Sequence, residues 1–299
     1  MSKHDSISRK IFYIGLILFF ILFMATVLFP YLNILAKALN DGKDTMRGGV
    51  LIWPRVPTLE NFLTVLRDDD IVRAFFNTVC IVVLATVLRV VLQYMTAYAF
   101  VNTQFIGRRF LLFFFMIPMY FSGGLIPGYV LYGKLGLMNN FLVYIIPGCF
   151  SMYNMIVIRS YLKSIPVSLA EAAKMDGAND IYIAFRIYMP LAKPVLATVS
   201  LWCAVAAWNN WTTTLYYVNK KSLYTLQYVL MQVLKETSRI QNMINEAALR
   251  GEIMEVPTNV TTESIQCAQI IVTTLPIVIL YPFLQKYFIK GVTMGSVKD

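Results

Sequence analysis

The stretch that decides the fold is Ser164-Ile165-Pro166-Val167-Ser168-Leu169-Ala170-Glu171-Ala172-Ala173-Lys174-Met175-Asp176-Gly177-Ala178. It is polar and charged, and it continues through Ile187 to Met189-Pro190. Long apolar segments precede and follow it, and they contain almost no charged residues. We therefore interpret residues of about 163–193 as a polar loop that emerges between two segments of a different, apolar character.

Within this loop the pattern predicts two short helices joined by a sharp turn. The segment Pro166–Ser168 favours a helix start, because proline suits a first turn and serine can cap it. Gly177 is expected to end this helix, since glycine adopts a positive φ freely. A second short helix should open near Asp180 and be closed by Pro190 and Pro194.

Composition indicates that the apolar segments lie in a lipid bilayer. Of 299 residues, 58% are hydrophobic and only 14% are charged. Six windows reach the roughly 20 residues that a helix needs to span the hydrocarbon core. The windows are 11–36, 74–100, 110–133, 135–158, 194–219 and 264–285, and the only Asp, Glu, Lys or Arg among them is Arg89. The sequence therefore predicts an all-α membrane protein with six transmembrane helices.

The predicted helices divide the chain into membrane and loop segments. We expect them at about 11–35, 74–101, 110–132, 141–161, 194–217 and 264–288. Residues 1–10 then form a tail, 11–299 form a single transmembrane domain, and 37–73 and 218–263 form large external loops. In the first loop, Pro57–Phe62 predicts a cap and a short helix. In the second, helices are predicted from Leu226 and over 242–255.

Charge predicts the orientation of the helices. The tail, the 102–109 loop, the 163–193 loop and the C-terminal end carry twelve basic residues and five acidic ones in short segments. The opposite side carries twelve basic and eleven acidic residues in longer loops. Short basic loops stay on the cytoplasmic side. Both termini and the polar loop are therefore expected in the cytoplasm, and the net charge of +10 is attributed to the membrane surface and not to nucleic acid.

The sequence offers no pattern for catalysis, metal or cofactor binding. Cys80, Cys149, Cys203 and Cys267 lie in or beside apolar segments, with a spacing that fits no metal site. The only histidine is His4, in the polar tail. No G-x-x-x-x-G-K-[ST] phosphate loop is present, so we expect neither ATP hydrolysis nor a cofactor in this chain.

The polar loop resembles a known motif. Glu171-Ala172-Ala173, three residues, Gly177, nine residues, Ile187 and Met189-Pro190 are similar to the EAA loop of ABC importer permeases, E-A-A-x3-G-x9-I-x-L-P, with Met189 in place of leucine. In that family the loop forms a coupling helix that docks on a cytoplasmic ATPase. The resemblance implies an ATPase-coupling role for the motif positions Glu171, Ala172, Ala173, Gly177 and Pro190, and we include Asp176 and Ala178, which flank Gly177. An ordinary amphipathic loop is the alternative.

The resemblance extends over most of the chain and implies a substrate class. Phe121–Pro127, Tyr281–Phe288 and Lys290–Ser296 resemble segments of carbohydrate-uptake permeases of the maltose type (MalG-like), and within them the LplC/YtcP-like oligosaccharide branch. This implies the type I permease fold in a bacterial cell membrane. It also implies four kinds of partner: a second permease, two cytoplasmic ATPase subunits, an extracytoplasmic solute-binding protein and a sugar substrate.

Two apolar helices contain candidate residues for a substrate path. Ser122-Gly123-Gly124 and Pro127-Gly128 should break the third helix, which is tolerated where a cavity or protein satisfies the backbone, although a packing kink would also explain it. Aromatic and amide groups of the fifth helix suit a sugar, although an interfacial aromatic belt is the alternative. The candidates are Tyr120, Ser122, Gly123, Asn154, Trp208, Asn209, Asn210 and Trp211.

Arg89 is the remaining polar feature of the apolar windows. A charge at this depth is a candidate functional residue, whereas snorkelling or hydrogen bonding to backbone carbonyls would be structural explanations. Ion-coupled secondary transporters place Asp, Glu or His in the bilayer, and no window contains one. An ABC permease for a non-sugar solute is the closer alternative, and an ion-coupled transporter or a membrane enzyme is the more distant one.

Overall fold

A computed structural model describes residues 7–101, 105–249 and 263–296. In these residues every regular element is helical, and the only β feature is an isolated antiparallel bridge between Asn40 and Pro57. The predicted all-α class is confirmed for this part of the chain. The α-helices are α1 Ile7–Ala38, α2 Gly42–Met46, α3 Glu60–Arg67, α4 Asp69–Val101, α5 Arg108–Tyr120, α6 Leu125–Lys134, α7 Met152–Leu162, α8 Ser168–Met175, α9 Asp180–Tyr182, α10 Met189–Leu191, α11 Lys193–Trp208, α12 Thr212–Tyr217, α13 Leu226–Leu249 and α14 Glu263–Ser296.

Two helices are long and apolar enough to cross a bilayer unaided, α1 and α4. Two bent pairs of helices would raise this number to four in the described residues: α5 with α6, bent by 112°, and the 180–191 segment with α11, bent by 81°. The apolar part of α14, Glu263–Ile279, is shorter than these spans. The number six therefore stays a prediction.

The apolar surface of α1 agrees with a lipid environment. None of its most apolar 18-residue window is buried, and the exposed side chains are mainly Phe, Leu and Ile. Water would not tolerate so large a contiguous apolar patch, whereas a lipid or a partner helix would cover it. The helix also extends over Pro30 without a break.

The predicted fourth and fifth helices are wrong in their boundaries. Residues 141–161 do not form one helix: a 3-10 turn, Phe141–Tyr144, is followed by irregular backbone through Pro147-Gly148. Helix α7 begins only at Met152, where the Ser151 side chain accepts a hydrogen bond from the Asn154 N–H at 3.4 Å. The fifth helix stops at Trp208 and resumes as α12, so 194–217 is interrupted.

Two loop predictions also change. The short helix predicted near Pro57–Phe62 is present as α3, and the Thr58 hydroxyl accepts a hydrogen bond from the Glu60 N–H at 3.1 Å. In the second external loop, one long helix, α13, replaces the two predicted helices as far as Leu249. The remainder of 242–255 lies outside the described residues, as do residues 1–6 of the tail.

The chain divides into two compact units, one of residues 1–69 and 232–275, the other of 70–231 and 276–299. The first unit includes an ordered outer loop. Buried Asn40 donates to the Asp44 carboxylate at 3.0 Å and to the Thr45 hydroxyl at 2.9 Å, and it accepts from the Val56 N–H at 2.8 Å. Lys37 and Glu263 form an ion pair at 2.6 Å in the same unit.

The second unit contains the core that supports the polar loop. Its buried side chains come from α4, α7, the 180–191 segment and α11. They are Tyr94, Ala97, Phe100, Met152, Met155, Ile158, Leu162, Ile165, Ile183, Tyr188, Ala192, Val195, Leu196, Val199 and Cys203. A polar segment is therefore packed directly on α4, which is long enough to span a bilayer, and on the apolar helices α7 and α11.

Candidate functional site

The polar loop contains a complete Schellman turn at the end of α8. Gly177 has φ of 80°, its N–H donates to the Lys174 carbonyl at 3.0 Å, and the Ala178 N–H donates to the Ala173 carbonyl at 2.9 Å. These two bonds satisfy the last carbonyls of the helix. The predicted stop at Gly177 is confirmed. A Cβ at this position would meet no atom within 4 Å, so the positive φ explains the glycine and a steric clash does not.

The start of α8 differs from the prediction. Ser168 is the first helical residue and not the cap, and Val167 in the cap position makes no side-chain hydrogen bond. The turn is instead closed by the backbone, since the Leu169 N–H donates to the Pro166 carbonyl at 3.3 Å. Pro166 therefore acts by fixing the backbone ahead of the helix.

The helical segment after the Gly177 turn begins at Asp180, as predicted. We call α8 the first limb of the polar loop and residues 180–191 the second limb. The Asn179 side chain caps it by accepting a hydrogen bond from the Tyr182 N–H at 2.8 Å. Asp180 lies in the first turn, where a negative charge is favourable, and it forms an ion pair with Lys174 of α8 at 3.0 Å. The two limbs are thus joined by a covalent turn and by one exposed ion pair.

The second limb ends at Leu191, between the predicted closing residues Pro190 and Pro194, and the chain then bends by 81° into α11. It passes from α9 into a π-helical segment, Ile183–Tyr188, and then into α10, which contains Pro190. Proline has no N–H to donate and its ring crowds the carbonyl four residues earlier, here Arg186. The wider π turn accommodates this conflict without breaking the segment. Pro194 likewise lies in the first turn of α11, where proline is tolerated.

Three contacts fix the polar loop to the membrane helices. The Tyr94 hydroxyl of α4 donates to the Ala184 carbonyl at 2.5 Å, in a buried position. The ring of Tyr98, one turn further along α4, packs edge-on against Tyr188 with centroids 5.4 Å apart. The Tyr161 hydroxyl of α7 donates to the Leu191 carbonyl at 3.3 Å. Movement of the loop would therefore be transmitted to α4 and α7.

The outer face of α8 is open and partly apolar. Ala173 and Ala178 face the core, whereas Glu171, Ala172, Asp176 and Gly177 are exposed. Met175 is 89% exposed. Leu169 and Val167 on the same segment, and Ile181 and Tyr182 on the second limb, are exposed as well. The motif did not single out these four apolar residues or Met175, although apolar side chains inside a charged loop were a signal that could have found them.

Glu171 is also available to a partner. Within the described residues its carboxylate has neither a hydrogen-bond nor an ion-pair partner. A carboxylate at an exposed helix can accept charge-assisted hydrogen bonds from another protein. The loop thus presents a carboxylate, small residues and apolar side chains on one rigid unit. Such a surface can bind a protein, and it carries no group arranged for catalysis.

The break in the third helix lies where it was predicted. Helix α5 ends at Tyr120, and α6 begins at Leu125 with Gly124 at φ of 86°. Tyr120, Ser122 and Gly123 are all exposed, and the Ser122 hydroxyl accepts from the Gly124 N–H at 3.2 Å. Pro127-Gly128 lies inside α6 and does not break it. A role of this segment in a substrate path remains a prediction.

The candidates of the fifth helix do not share one surface. Trp208 is buried and packs edge-on against Phe75, with centroids 6.2 Å apart. The Asn209 amide donates to the Val205 carbonyl at 3.0 Å, and Asn210 accepts from the Thr213 N–H at 3.1 Å. Both asparagines therefore bond locally and interrupt the helix. Trp211 is partly buried.

Asn154 lies apart from these residues, on α7. Its amide donates to the Cys203 sulfur of α11 at 3.6 Å. The described residues contain no group of three or more His, Cys, Asp or Glu side chains that could hold a metal ion. The strongest candidate site of the molecule is therefore the surface of the polar loop.

Comparison with known proteins assigns the chain to a family. Residues 94–294, which include the polar loop, match the family described as "Binding-protein-dependent transport system inner membrane component". The chain belongs to this family. As a member it is a membrane permease subunit of a binding-protein-dependent ABC importer, a class of transport subunit that is not itself catalytic.

Named relatives cover nearly the whole permease. It is 31% identical over 280 residues to the polygalacturonan/rhamnogalacturonan transport system permease protein YtcP of Bacillus subtilis (strain 168), covering 94% of this chain and 96% of the relative. It is 33% identical over 299 residues to protein LplC of the same organism, covering 99% and 98%. The predicted resemblance to LplC/YtcP-like permeases is thereby confirmed.

A solved structure supports the permease fold. A chain from a bacterial ABC transporter involved in the import of the acidic polysaccharide alginate superposes with a TM-score of 0.85. The identity is 29%, and the match covers 96% of the permease and 100% of that chain. The predicted importer permease fold is therefore supported over the full length, and the predicted membrane location agrees with the family.

Proposed function

We propose that this permease imports oligosaccharides or related sugars and couples to its ATPase through the 163–193 loop. Transport subunits for such sugars are prominent among its relatives. They include YtcP and the arabinooligosaccharide permease AraQ of Halalkalibacterium halodurans, which is 30% identical over 286 residues and matches 93% of each chain. An osmoprotective solute, a class that is not restricted to sugars, is the second candidate, because the osmoprotective compounds uptake permease protein GgtD of Synechocystis sp. is 26% identical over 280 residues.

The observation that carries the coupling proposal is the rigid connection between an exposed surface and the transmembrane core. Helix α8 presents Glu171 and Met175 outward, and its partner limb is bonded to Tyr94 of α4. A coupling element must transmit force without compressing, and a capped turn with a buried anchor has that property. This element would depend on Ala172, Asp176 and Pro190 for its shape, and none of them would take part in a chemical step.

The proposed assembly contains six transmembrane helices per permease, with both termini in the cytoplasm. One such subunit pairs with a second permease, two ATPase subunits and an extracytoplasmic binding protein. Closure of the ATPase pair on ATP would draw the coupling loops together and open the path outward. The binding protein delivers the sugar, and hydrolysis of ATP resets the permease pair. Tyr120, Ser122, Gly123 and Asn154 remain candidates for the path.

Purification from the native membrane tests this proposal. The tagged permease should retain a second permease, an ATPase and a binding protein, identified by mass spectrometry. The binding protein is then screened against oligosaccharides and polyols, and uptake is measured with the solute it retains. A polyol or peptide as the only retained solute would overturn the sugar assignment. Recovery of the permease alone would overturn the assembly.

A further inference from the structure

A row of polar atoms without partners lies on one face of α4. Thr86, Arg89 and Gln93 are spaced by three and four residues, so they share a face of the helix. The Thr86 hydroxyl, the Arg89 Nε and both amide atoms of Gln93 are buried and have no hydrogen-bond partner in the described residues. Gln93 is 0% exposed. Unpaired polar groups in a membrane span cost several kcal/mol each, so this buried row is not explained by ordinary helix packing.

Arg89 is held against the backbone at Gly148. A Cβ built on Gly148 would lie 2.6 Å from Nη2 and 3.3 Å from Cζ of Arg89, well inside contact distance. Glycine at this position thus makes the space that the guanidinium occupies. Gly148 itself is exposed, in the irregular backbone that replaces the predicted fourth helix. The guanidinium therefore lies near the subunit surface although its Nε is shielded.

No carboxylate forms an ion pair with Arg89 within the part of the chain that the structure describes. A cation inside a bilayer without a counter-ion is costly and marks a functional site by default.

The two structural explanations for Arg89 do not fit this geometry. Snorkelling requires a nearby helix end, but Arg89 is twelve residues from the C-terminal end of α4, about 18 Å at 1.5 Å per residue. Its Nε is buried, which also disagrees with a side chain that extends towards the interface. Satisfaction by backbone carbonyls fails because no such hydrogen bond is present in the described residues.

We propose that Arg89, beside Gly148, forms a subsite for the carboxylate of an acidic, uronate-containing oligosaccharide. The planar guanidinium donates two parallel hydrogen bonds to a carboxylate, a fit that a neutral sugar hydroxyl cannot reproduce. The inference rests on the proposed sugar import and narrows its substrate class. The alginate importer chain that superposes on this permease comes from a transporter of an acidic polysaccharide.

The test compares two oligosaccharides of equal length in the complete importer reconstituted in vesicles. One contains uronate residues and the other is neutral, and both are chosen because the binding protein retains them. We expect Arg89→Gln to lower uptake of the acidic substrate by about tenfold or more, the usual effect of losing a charge-assisted hydrogen bond. Uptake of the neutral substrate should change less than about twofold. Arg89→Lys should retain part of the acidic uptake, since it keeps the charge but loses the fork.

Gly148→Ala is the second variant, because it displaces the guanidinium without removing the charge. It should lower acidic uptake in the same direction as Arg89→Gln, and exposed Lys134→Gln should have no effect. The carboxylate subsite would be overturned if the variants lost uptake of both substrates equally, or if uptake of the acidic substrate did not change. It would also be overturned if the unmodified complex imported only the neutral substrate. Failure of the unmodified complex to import any saccharide would instead overturn the proposed function.

Discussion

The hydroxyl of Tyr94 donates a 2.5 Å hydrogen bond to the carbonyl oxygen of Ala184. Tyr94 belongs to a helix that can span the bilayer, and Ala184 belongs to the polar loop. Both residues are almost completely buried. The bond joins a membrane helix to the π-helical segment that follows α8, and it therefore links the polar loop to the transmembrane core.

Tyr94→Phe should weaken this link while keeping the ring in place. We expect a loss of about 1 kcal/mol of local stability, plus the cost of an unpaired carbonyl. In the reconstituted importer, stimulation of ATP hydrolysis by the loaded binding protein should fall while the ATPase remains bound. Tyr98→Phe is the matched control, because Tyr98 contributes its ring to the same cluster. Equal stimulation in both variants would refute the role of the hydroxyl.

Position 177 should tolerate a substitution according to how readily the new residue adopts a positive φ, and not according to the size of its side chain. Its φ is +80° with open space around the missing Cβ. Replacement by alanine should cost about 1 kcal/mol, valine more, and asparagine least, because asparagine adopts the left-handed region. Retention of the ATPase during purification should follow the order Asn, Ala, Val. Gly133→Ala, in open space and without a positive φ, is the neutral control. Retention that is higher for alanine than for asparagine would indicate a steric requirement instead.

The ion pair between Lys174 and Asp180 should contribute little. Both side chains are about half exposed, and exposed pairs contribute about 0–1 kcal/mol. Asp180→Asn should therefore leave thermal stability nearly unchanged, with any effect declining as salt rises. Asn179→Ala removes the neighbouring cap and should cost about 1 kcal/mol. Thermal unfolding of the purified complex in low and high salt distinguishes the two variants, and a larger effect of Asp180→Asn would contradict the assignment.

The lowered pKa of Asp44 predicts that the stability of the outer loop, residues 41–57, depends on pH. A hydrogen bond from Asn40, and secondarily the Arg55 guanidinium, hold the pKa of this carboxyl below its ordinary value of 3.8. Because the pKa of Asp44 is lower in the folded protein, the ionised carboxylate stabilises the folded outer loop at pH values above 3.8. This stabilisation is lost as the pH falls through the pKa of the folded state. Hydrogen exchange in 41–57 should accelerate in that acidic range, and Asp44→Asn should remove the change. An unchanged pH dependence in the variant would exclude Asp44 as its cause.

Much of the polar loop could be predicted because its signals are local. Gly177 and Asp180 specify a turn and a helix start through backbone preferences that need no tertiary context. Ser168 misled the prediction, since Pro166 had already set the backbone and left the serine inside the helix. The anchor at Tyr94 could not be predicted, because it joins residues 90 positions apart.

Helix boundaries inside the apolar windows were predicted less well for a physical reason. Hydropathy indicates whether a segment lies in lipid, but it does not indicate whether the helix is continuous. A broken membrane helix and an intact one therefore have similar hydropathy. Pro147-Gly148 and the Ser151 cap were the available signals for the break before α7. Asn209 and Asn210 were interpreted as possible sugar contacts, whereas their amides bond to the local chain and end α11.

Site-directed crosslinking of α8 tests the coupling claim most directly. Met175→Cys, 89% exposed, and Trp53→Cys, 81% exposed, are each introduced in a chain whose four cysteines are replaced by alanine. Trp53 lies in the predicted external loop and serves as the control. In native membranes, a thiol crosslinker should join position 175 to the ATPase subunit and leave position 53 unconnected to it. Absence of an ATPase adduct at 175, or an equal adduct at 53, would contradict the account.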